Sequence, residues 1–323
     1  MSLSSRLAIP VVVFYSLGYP LGALAVQAMS PGPVMVLRFA LSAPVLLAIS
    51  AFRGVSWPRG RMLHVAIVGL LIQAVQFIAS YWAMDLGLSP VLLALTVAMN
   101  PLATAVLAAV LLGERVSRRK LIALALAVIA VLIAFAGRLG ASGGVGVGLA
   151  GAVIALLGLS FGGVYQQRHV RGVDPILGTA IGLTASLPPA LVFALSEPIE
   201  VHRPRQAVLS VAAMVLFSSL IGMSLYFAAL RSGGASQVAM LFAVIPSGAA
   251  LLSWLLLGER PDVGVVIGLV VGAVACVIGR DSPPRLRSSA SDRPTLVRRL
   301  RIQHLPGSAG LLPDRRPACR RDA

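Results

Sequence analysis

The chain has 323 residues, of which 58% are hydrophobic and only 12% are charged, and its mean hydropathy is +0.91. A soluble domain carries about 25% charged residues, so this composition excludes an ordinary soluble globular protein. The formal net charge of +16 is spread over loops between apolar segments and over an arginine-rich tail, which is typical of a membrane protein and predicts no nucleic-acid partner.

Ten apolar segments are long enough to form transmembrane helices, each of which needs about 20 apolar residues. In chain order they are 7–29, 34–52, 64–84, 91–112, 121–136, 147–165, 176–195, 207–230, 236–257 and 264–278. We expect the first segment to remain in the protein rather than be cleaved as a signal peptide, because its apolar region is too long and contains Pro10 and Pro20. The sequence therefore predicts an all-α integral membrane protein with ten transmembrane helices.

Basic residues are distributed unequally between the two sides of the predicted bundle. With the N-terminus in the cytoplasm, the inside loops hold eleven basic residues and the outside loops hold four. Because cytoplasmic loops are enriched in Lys and Arg, we expect a multi-pass protein of the cytoplasmic (inner) membrane with both termini inside. The segment 280–323 holds 11 arginines and little apolar surface, and we expect a disordered cytoplasmic tail that anionic membrane lipid attracts.

A duplication connects the two halves of the chain. Residues 81–115 align with residues 226–260 without a gap at an offset of 145, and 12 of the 35 positions are identical. The aligned polar and proline positions are Tyr81 with Tyr226, Pro101 with Pro246, Glu114 with Glu259 and Arg115 with Arg260. The copies fall in the fourth and ninth segments, so the repeat unit is five helices and the second copy enters the membrane inverted. Inverted repeats are a hallmark of carriers that work by alternating access.

These segments carry a family resemblance. Each copy is a proline-interrupted apolar helix that ends in Leu-Gly-Glu-Arg, and this pattern resembles the EamA repeat of the drug/metabolite transporter superfamily. Arg38-Phe39-Ala40 is also similar to that family's first repeat, although the second half has no clear counterpart. The resemblance covers about residues 7–279. It implies a first repeat in 1–137, an inverted second repeat in 138–279 and a central cavity for a small-molecule solute, often an exported amino acid or related metabolite.

Polar side chains inside the bilayer are costly, so each one in a predicted span is a candidate for the solute site. Gln73, Gln76 and Ser80 are spaced by three and four residues, which places them on one face of the third helix. The alternative is that such groups only form hydrogen bonds with neighbouring helices. The candidates for the cavity are Gln73, Gln76, Tyr81, Asn100, Tyr15, Tyr165, Ser218, Ser219 and Tyr226.

Prolines occupy equivalent positions within the predicted fourth and ninth helices. Pro101 and Pro246 each remove a backbone hydrogen bond, and they are candidates for hinges or for static kinks. At the ends of the same helices the sequence places acid–arginine pairs, which we interpret as interfacial ion pairs or caps, with gating as the alternative. These pairs are Glu114 with Arg115 and Glu259 with Arg260.

Arg38 is the basic residue that lies well within a predicted span, about one turn from the expected start of the second helix. Two roles remain open for it. It could bind a solute carboxylate through its planar guanidinium, or it could be structural, reaching the interface or pairing with loop carbonyls.

Several functions are disfavoured by what the spans contain. No acidic residue lies in the middle of a predicted span. The proton-coupled mechanism of the small multidrug antiporters, which uses a buried glutamate in the first helix, is therefore not expected. Proton coupling through His64 or Asp85 remains open. The four histidines and eleven acids are dispersed, and Cys276 and Cys319 form no metal-binding motif, so we expect no metal or other cofactor and no enzymatic activity. The alternatives are an integral-membrane enzyme acting on a lipid-linked substrate and a non-transporting scaffold or receptor. The pattern favours no particular oligomeric state.

Overall fold

The computed structural model describes residues 5–112, 118–136, 143–170, 172–222, 225, 229 and 244–278. In chain order its helices are α1 (Ser5–Val26), α2 (Pro31–Phe52), α3 (Arg59–Asp85), α4 (Pro90–Leu111), α5 (Arg118–Ala136), α6 (Gly143–His169), α7 (Pro175–Leu195), α8 (Pro204–Gly222), α9 (Ile245–Leu257) and α10 (Val263–Ile278). Within this described part there is no strand, and seven helices are long and apolar enough to cross a membrane, while α5, α9 and α10 are shorter apolar helices. The prediction of an all-helical chain with many membrane-crossing segments is confirmed to this extent.

Proline and glycine mark many of the helix boundaries. Four helices have proline as their first residue, where its missing N–H would have no helical partner: Pro31, Pro90, Pro175 and Pro204. Three helices are followed by glycine at positive φ, the left-handed conformation that glycine adopts without strain: Gly54, Gly87 and Gly258. The proline start explains why α2 begins at Pro31, three residues earlier than its apolar pattern predicts.

Three of the helices depart from regular α-helical geometry. In α3, the residues Leu70–Val75 form a π-helical turn between two α-helical parts, and α8 changes to a π-helix at Met214–Gly222. The fourth helix is broken at Ala98 and Met99, between Pro90–Val97 and Asn100–Leu112. π-Helical turns are often found at functional sites.

The break in α4 corrects the prediction of mid-helix prolines. Pro101 is the second residue of Asn100–Leu112, and Pro246 is the second residue of Ile245–Leu257. Both prolines therefore occupy a first helical turn, where they remove no helical hydrogen bond within their own segment. Any bending at Pro101 is located at the preceding break.

The helices pack in pairs that bring the two halves of the chain together. Helix α2 lies along α7, and α5 lies along α10. Helix α1 contacts α8 and α9, whereas α6 contacts α3 and α4. The core between them contains fully buried side chains such as Met35, Phe39, Leu92, Leu93 and Phe135, and exposed apolar side chains cover the outside of the bundle, as a lipid-facing surface requires.

Candidate functional site

A buried arginine lies where α2, α3 and α8 meet. Arg38 is about two turns into α2, deeper than predicted because that helix starts at Pro31, and only 6% of its surface is exposed. Its Nη1 donates a hydrogen bond to the Tyr81 hydroxyl at 3.2 Å, and its Cζ lies 4.0 Å from the centre of the Phe77 ring. The Tyr81 hydroxyl in turn faces the Met214 sulfur at 3.8 Å. We call these four residues the Arg38 cluster.

The charge of Arg38 has no counterion among the described residues. Two ion pairs of that part of the chain, Arg53 with Asp174 and His202 with Glu200, lie at loops or helix ends and do not involve Arg38. The Nε of Arg38 is buried and has no hydrogen-bond partner among the described residues. An arginine side chain stays protonated in proteins, and burying an unpaired charge is strongly unfavourable. The cation–π contact with Phe77 and one neutral hydrogen bond offset only part of that cost.

The glutamines of α3 lie beside the cluster along the same helix. Gln73 is within the π-helical turn and is buried against Gly182 of α7, and Gln76 follows directly after that turn. The Ser80 hydroxyl donates to the Gln76 carbonyl at 2.7 Å. Within the described residues no hydrogen bond joins either glutamine side chain to the Arg38 cluster. Their role as cavity residues remains a prediction.

Asn100 is the first residue after the break in α4, and its side chain forms a hydrogen bond with the other half of the chain. Its Oδ1 accepts hydrogen bonds from the Ser160 hydroxyl of α6 at 2.9 Å and from the Thr104 hydroxyl at 3.1 Å. In a similar way, the Ser16 hydroxyl of α1 donates to the carbonyl of Ile245 at 3.0 Å, directly before Pro246. In both cases a serine of one half binds the residue that precedes the aligned proline in the other half.

The remaining cavity candidates are divided between other parts of the bundle. Ser218 and Ser219 lie in the π-helical part of α8, with Ser218 against Gly18 of α1. Tyr15 is half-buried on α1. Tyr226 lies outside the described residues.

Tyr165 lies in a separate aromatic cluster at the other end of α3. Its hydroxyl is 2.8 Å from His64 Nδ1, and the His169 ring stacks on both His64 and Tyr165. Along α3, His64 is about 20 Å from Phe77, so Tyr165 does not join the Arg38 cluster.

The predicted helix-end pairs are described only in the second half. Glu259 and Arg260 follow Gly258, which ends α9 with φ 71°. Glu114 and Arg115 lie outside the described residues. The sequence did not indicate the contacts of Asp174, which caps α7 by accepting from Ile176 N at 2.9 Å and forms a 3.8 Å ion pair with Arg53.

One face of the bundle is closed by hydrogen bonds between the halves. This face, which we call the sealed face, is formed by the connections 27–30 and 196–203. Gly32 N donates to Glu197 Oε1 at 2.6 Å, and the Ser30 hydroxyl donates to the Pro198 carbonyl at 2.8 Å. His202 N also donates to the Ala28 carbonyl at 2.9 Å. Partial burial and the nearby charge of Asp85 raise the pKa of Glu197, although the Gly32 N–H opposes this shift.

The other face of the bundle, which we call the arginine-rich face, has a pocket between two of its connecting loops. The connection between α2 and α3 and the start of α7 line a cavity of about 420 Å³. Its walls include Trp57, Arg59, Arg61 and Asp174. A second cavity between α4, α5, α9 and α10 is apolar and holds only about 10 Å³, which is too small for a metabolite.

Two stretches of the chain, residues 5–136 and 146–279, match the model of the EamA-like transporter family. The chain belongs to the EamA-like transporter family. It is 26% identical over 281 residues to the uncharacterized transporter YyaM of Bacillus subtilis (strain 168), and the match covers 83% of this chain and 88% of that protein. The fold also resembles a crystal structure of a protein with 19% identity, a TM-score of 0.60, and coverage of 85% of this chain and 95% of that one. The chain is therefore a multi-pass membrane transporter that handles a small-molecule solute.

Proposed function

We propose that this EamA-like transporter exports a small metabolite, an amino acid or a related compound, by alternating access between two inverted five-helix repeats. The single observation that carries the proposal is the pair of serine contacts across the halves. Ser16 binds the residue before Pro246, and Ser160 binds the residue before Pro101. The two serines are 144 residues apart and the prolines 145, so each contact is the counterpart of the other.

The helix contacts also agree with two repeats of five helices, in which α1 corresponds to α6, α2 to α7 and so on. The α2–α7 pair and the α5–α10 pair each join two corresponding helices. The contacts of α1 with α8 and α9 correspond to those of α6 with α3 and α4, which are also present. This agreement supports ten crossings in two repeats, with the first helix of each repeat packed into the other.

Local irregularities are repeated as well. The π-helical turn Leu70–Val75 corresponds at an offset of 145 to residues within Met214–Gly222. The starts of α2 and α7 both have a capping-type residue followed by proline, Ser30-Pro31 and Asp174-Pro175, at an offset of 144. Equivalent deformable points in both halves support a carrier whose halves exchange conformations.

Within the described residues, the connections on the two faces of the bundle differ in their contacts. Hydrogen bonds join the two halves at the sealed face, whereas two connections of the arginine-rich face line a pocket of about 420 Å³. The excess of basic loops supports a cytoplasmic location for the arginine-rich face. This location places both termini in the cytoplasm, which is the side from which an exporter takes up its solute.

Metabolite profiling tests the transport proposal. Host cells expressing the chain are compared with cells expressing Asn100→Ala, and with cells expressing Gln166→Ala as a matched control that removes an exposed amide side chain from α6. We expect one solute to accumulate in the medium with the wild type and the control but not with Asn100→Ala. Accumulation in the cytoplasm instead would replace export by import. If no solute moves in cells or in proteoliposomes made from the purified protein, the carrier proposal is wrong.

Cysteine labelling tests the orientation independently. Single cysteines replace the exposed Ser56 on the arginine-rich face or Ser196 on the sealed face, in a chain in which Cys276 and Cys319 are serine. A membrane-impermeant maleimide added to intact cells is expected to label position 196 and not position 56. The reverse pattern would refute the proposed topology.

A further inference from the structure

We infer that the Arg38 cluster is the anchor for the solute's carboxylate, and that the solutes are therefore small organic carboxylates with an apolar body. This inference rests on the proposed carrier function, since it names the substrate class of that carrier. Of the two roles left open for Arg38, binding and purely structural, the proposal takes binding.

The first support is that no acidic residue among the described ones neutralises the charge of Arg38. Of the eleven acidic residues, six are described and none pairs with Arg38. The other five are Glu114, which follows the α4 helix, and Asp281, Asp292, Asp314 and Asp322, which follow α10. The connection between α8 and α9 contains no acidic residue. With no carboxylate of the described residues beside it, this guanidinium is suited to an external anion.

The second support is the geometry of the guanidinium. One nitrogen is engaged by Tyr81 and one flat side is covered by Phe77, which together fix the plane of the group. The Nε–H is buried and has no acceptor in the part of the chain that the structure describes. A carboxylate binds arginine through two parallel N–H bonds, and Nε commonly provides one of them. The structure therefore holds an oriented guanidinium with an unused donor.

The third support is the location between the repeats. Arg38 and Tyr81 belong to the first half, whereas Met214 belongs to the second half and begins its π-helical part. Solute sites of inverted-repeat carriers lie at such interfaces, where both halves contact the solute. An anion bound to Arg38 would thus contact elements of both halves as they move.

The composition of the cluster limits the class of anion. One guanidinium supplies one positive charge, which matches a monocarboxylate better than a phosphate dianion. Phe77, Tyr81 and Met214 offer an aromatic and thioether surface to the rest of the solute. We therefore expect carboxylates with aliphatic or aromatic bodies to bind more tightly than compact polar ones.

The test compares matched acids and amides on the purified full-length protein in lipid nanodiscs. The probes are phenylacetate with phenylacetamide, 4-methylpentanoate with 4-methylpentanamide, and inorganic phosphate. Binding is measured as the ligand-induced rise in unfolding temperature and by calorimetric titration, each relative to the ligand-free form of the same variant. We expect a rise with the acids and none with the amides or phosphate.

Two Arg38 variants and a matched control test whether carboxylate binding depends on Arg38. Arg38→Gln should weaken carboxylate binding roughly 10- to 100-fold, as expected for the loss of a hydrogen-bonded charge partner, and Arg38→Lys should restore only part of it. The control Arg168→Gln removes an arginine from the exposed last turn of α6 and should bind as the wild type does. If Arg38→Gln fails to fold, Tyr81→Phe provides the second measurement, with an expected loss of about threefold to tenfold.

The outcomes separate this inference from the carrier proposal. Carboxylate binding without any transport in proteoliposomes would support the anchor and refute the carrier. Transport of a solute without a carboxylate, undiminished by Arg38→Lys, would support the carrier and refute the anchor. Equal binding of acid and amide, or wild-type carboxylate affinity in Arg38→Gln, would also overturn the inference and leave Arg38 a structural residue.

Discussion

The crossing of α3 and α7 gives the sharpest prediction about packing. These helices meet where Gly69 faces Gly182, and the Ser186 hydroxyl donates across the crossing to the Gly69 carbonyl at 3.2 Å. A Cβ on Gly182 would lie 2.8 Å from the Gly69 Cα, whereas ordinary contacts begin at about 3.4 Å. Both nearest groups are backbone atoms, so Gly182→Ala can be accommodated only if the helices separate by about 0.6 Å.

The matched control for this substitution lies one turn earlier in the same helix. A Cβ on Gly178 would find its nearest neighbour, Val173 Cγ1, at 3.7 Å, which is an ordinary contact. Both substitutions gain the same helix preference of alanine over glycine, about 1 kcal/mol, so their difference isolates the overlap at the crossing. Overpacking of this kind costs about 1–3 kcal/mol, and we expect Gly182→Ala to be less stable than Gly178→Ala by that amount.

The assay is the free energy of unfolding of the two variants in mixed micelles titrated with sodium dodecyl sulfate. Binding of the acid probes provides a second readout, because Gln73 lies against Gly182 in the same region. Equal unfolding free energies for the two variants would refute the close approach of α3 and α7.

Three further predictions concern the contacts between halves. A double-mutant cycle of Ser160→Ala and Asn100→Ala should give a coupling energy of about 0.6–1.7 kcal/mol in the same unfolding assay, and additive effects would contradict the 2.9 Å bond. Asp174→Asn keeps an acceptor for the helix cap but loses the ion pair, so it should cost less than Asp174→Ala, which loses about 1 kcal/mol of capping; equal costs would contradict the cap. Because the folded-state pKa of Glu197 is raised, its protonated form contributes stability at low pH that is lost as the pH rises through that pKa. The wild type should therefore lose thermal stability relative to Glu197→Gln as the pH rises above about 4, where the carboxyl group of the unfolded chain ionises, and a difference that is independent of pH would refute this.

The apolar spans were predictable because lipid demands long continuous apolar helices, and most described helix ends lie within five residues of the prediction. A larger difference occurs at α9, which begins at Ile245, nine residues after its predicted start. The starts of α2 and α6 were missed because Pro31 and the glycines at 143–148 are not strongly apolar, although proline in a first turn favours a helix start. The π-helical turns leave no periodicity signal, since the residues on both sides are apolar in either geometry.

The candidate site was predictable by residue type but not by partner. Arg38 and Tyr81 were candidates because polar groups in lipid are costly, whereas Met214 was not, because an apolar side chain in an apolar helix carries no such signal. Ser16 and Ser160 were also missed as partners of the residues before the prolines. A comparison of the first and sixth helices would have shown that both contain a serine followed two residues later by glycine, Ser16 with Gly18 and Ser160 with Gly162.

The packing of each first helix into the opposite half has a consequence for biogenesis. Ser16 and its acceptor Ile245 are separated by 229 residues, so α1 enters the membrane long before α9 has been synthesised. The Arg38 cluster is likewise complete only after α8, which contributes Met214, has been inserted. The first half must therefore be held in the bilayer with unfilled helix interfaces until the second half is inserted, and a nascent chain stalled between the repeats should be especially sensitive to membrane quality control.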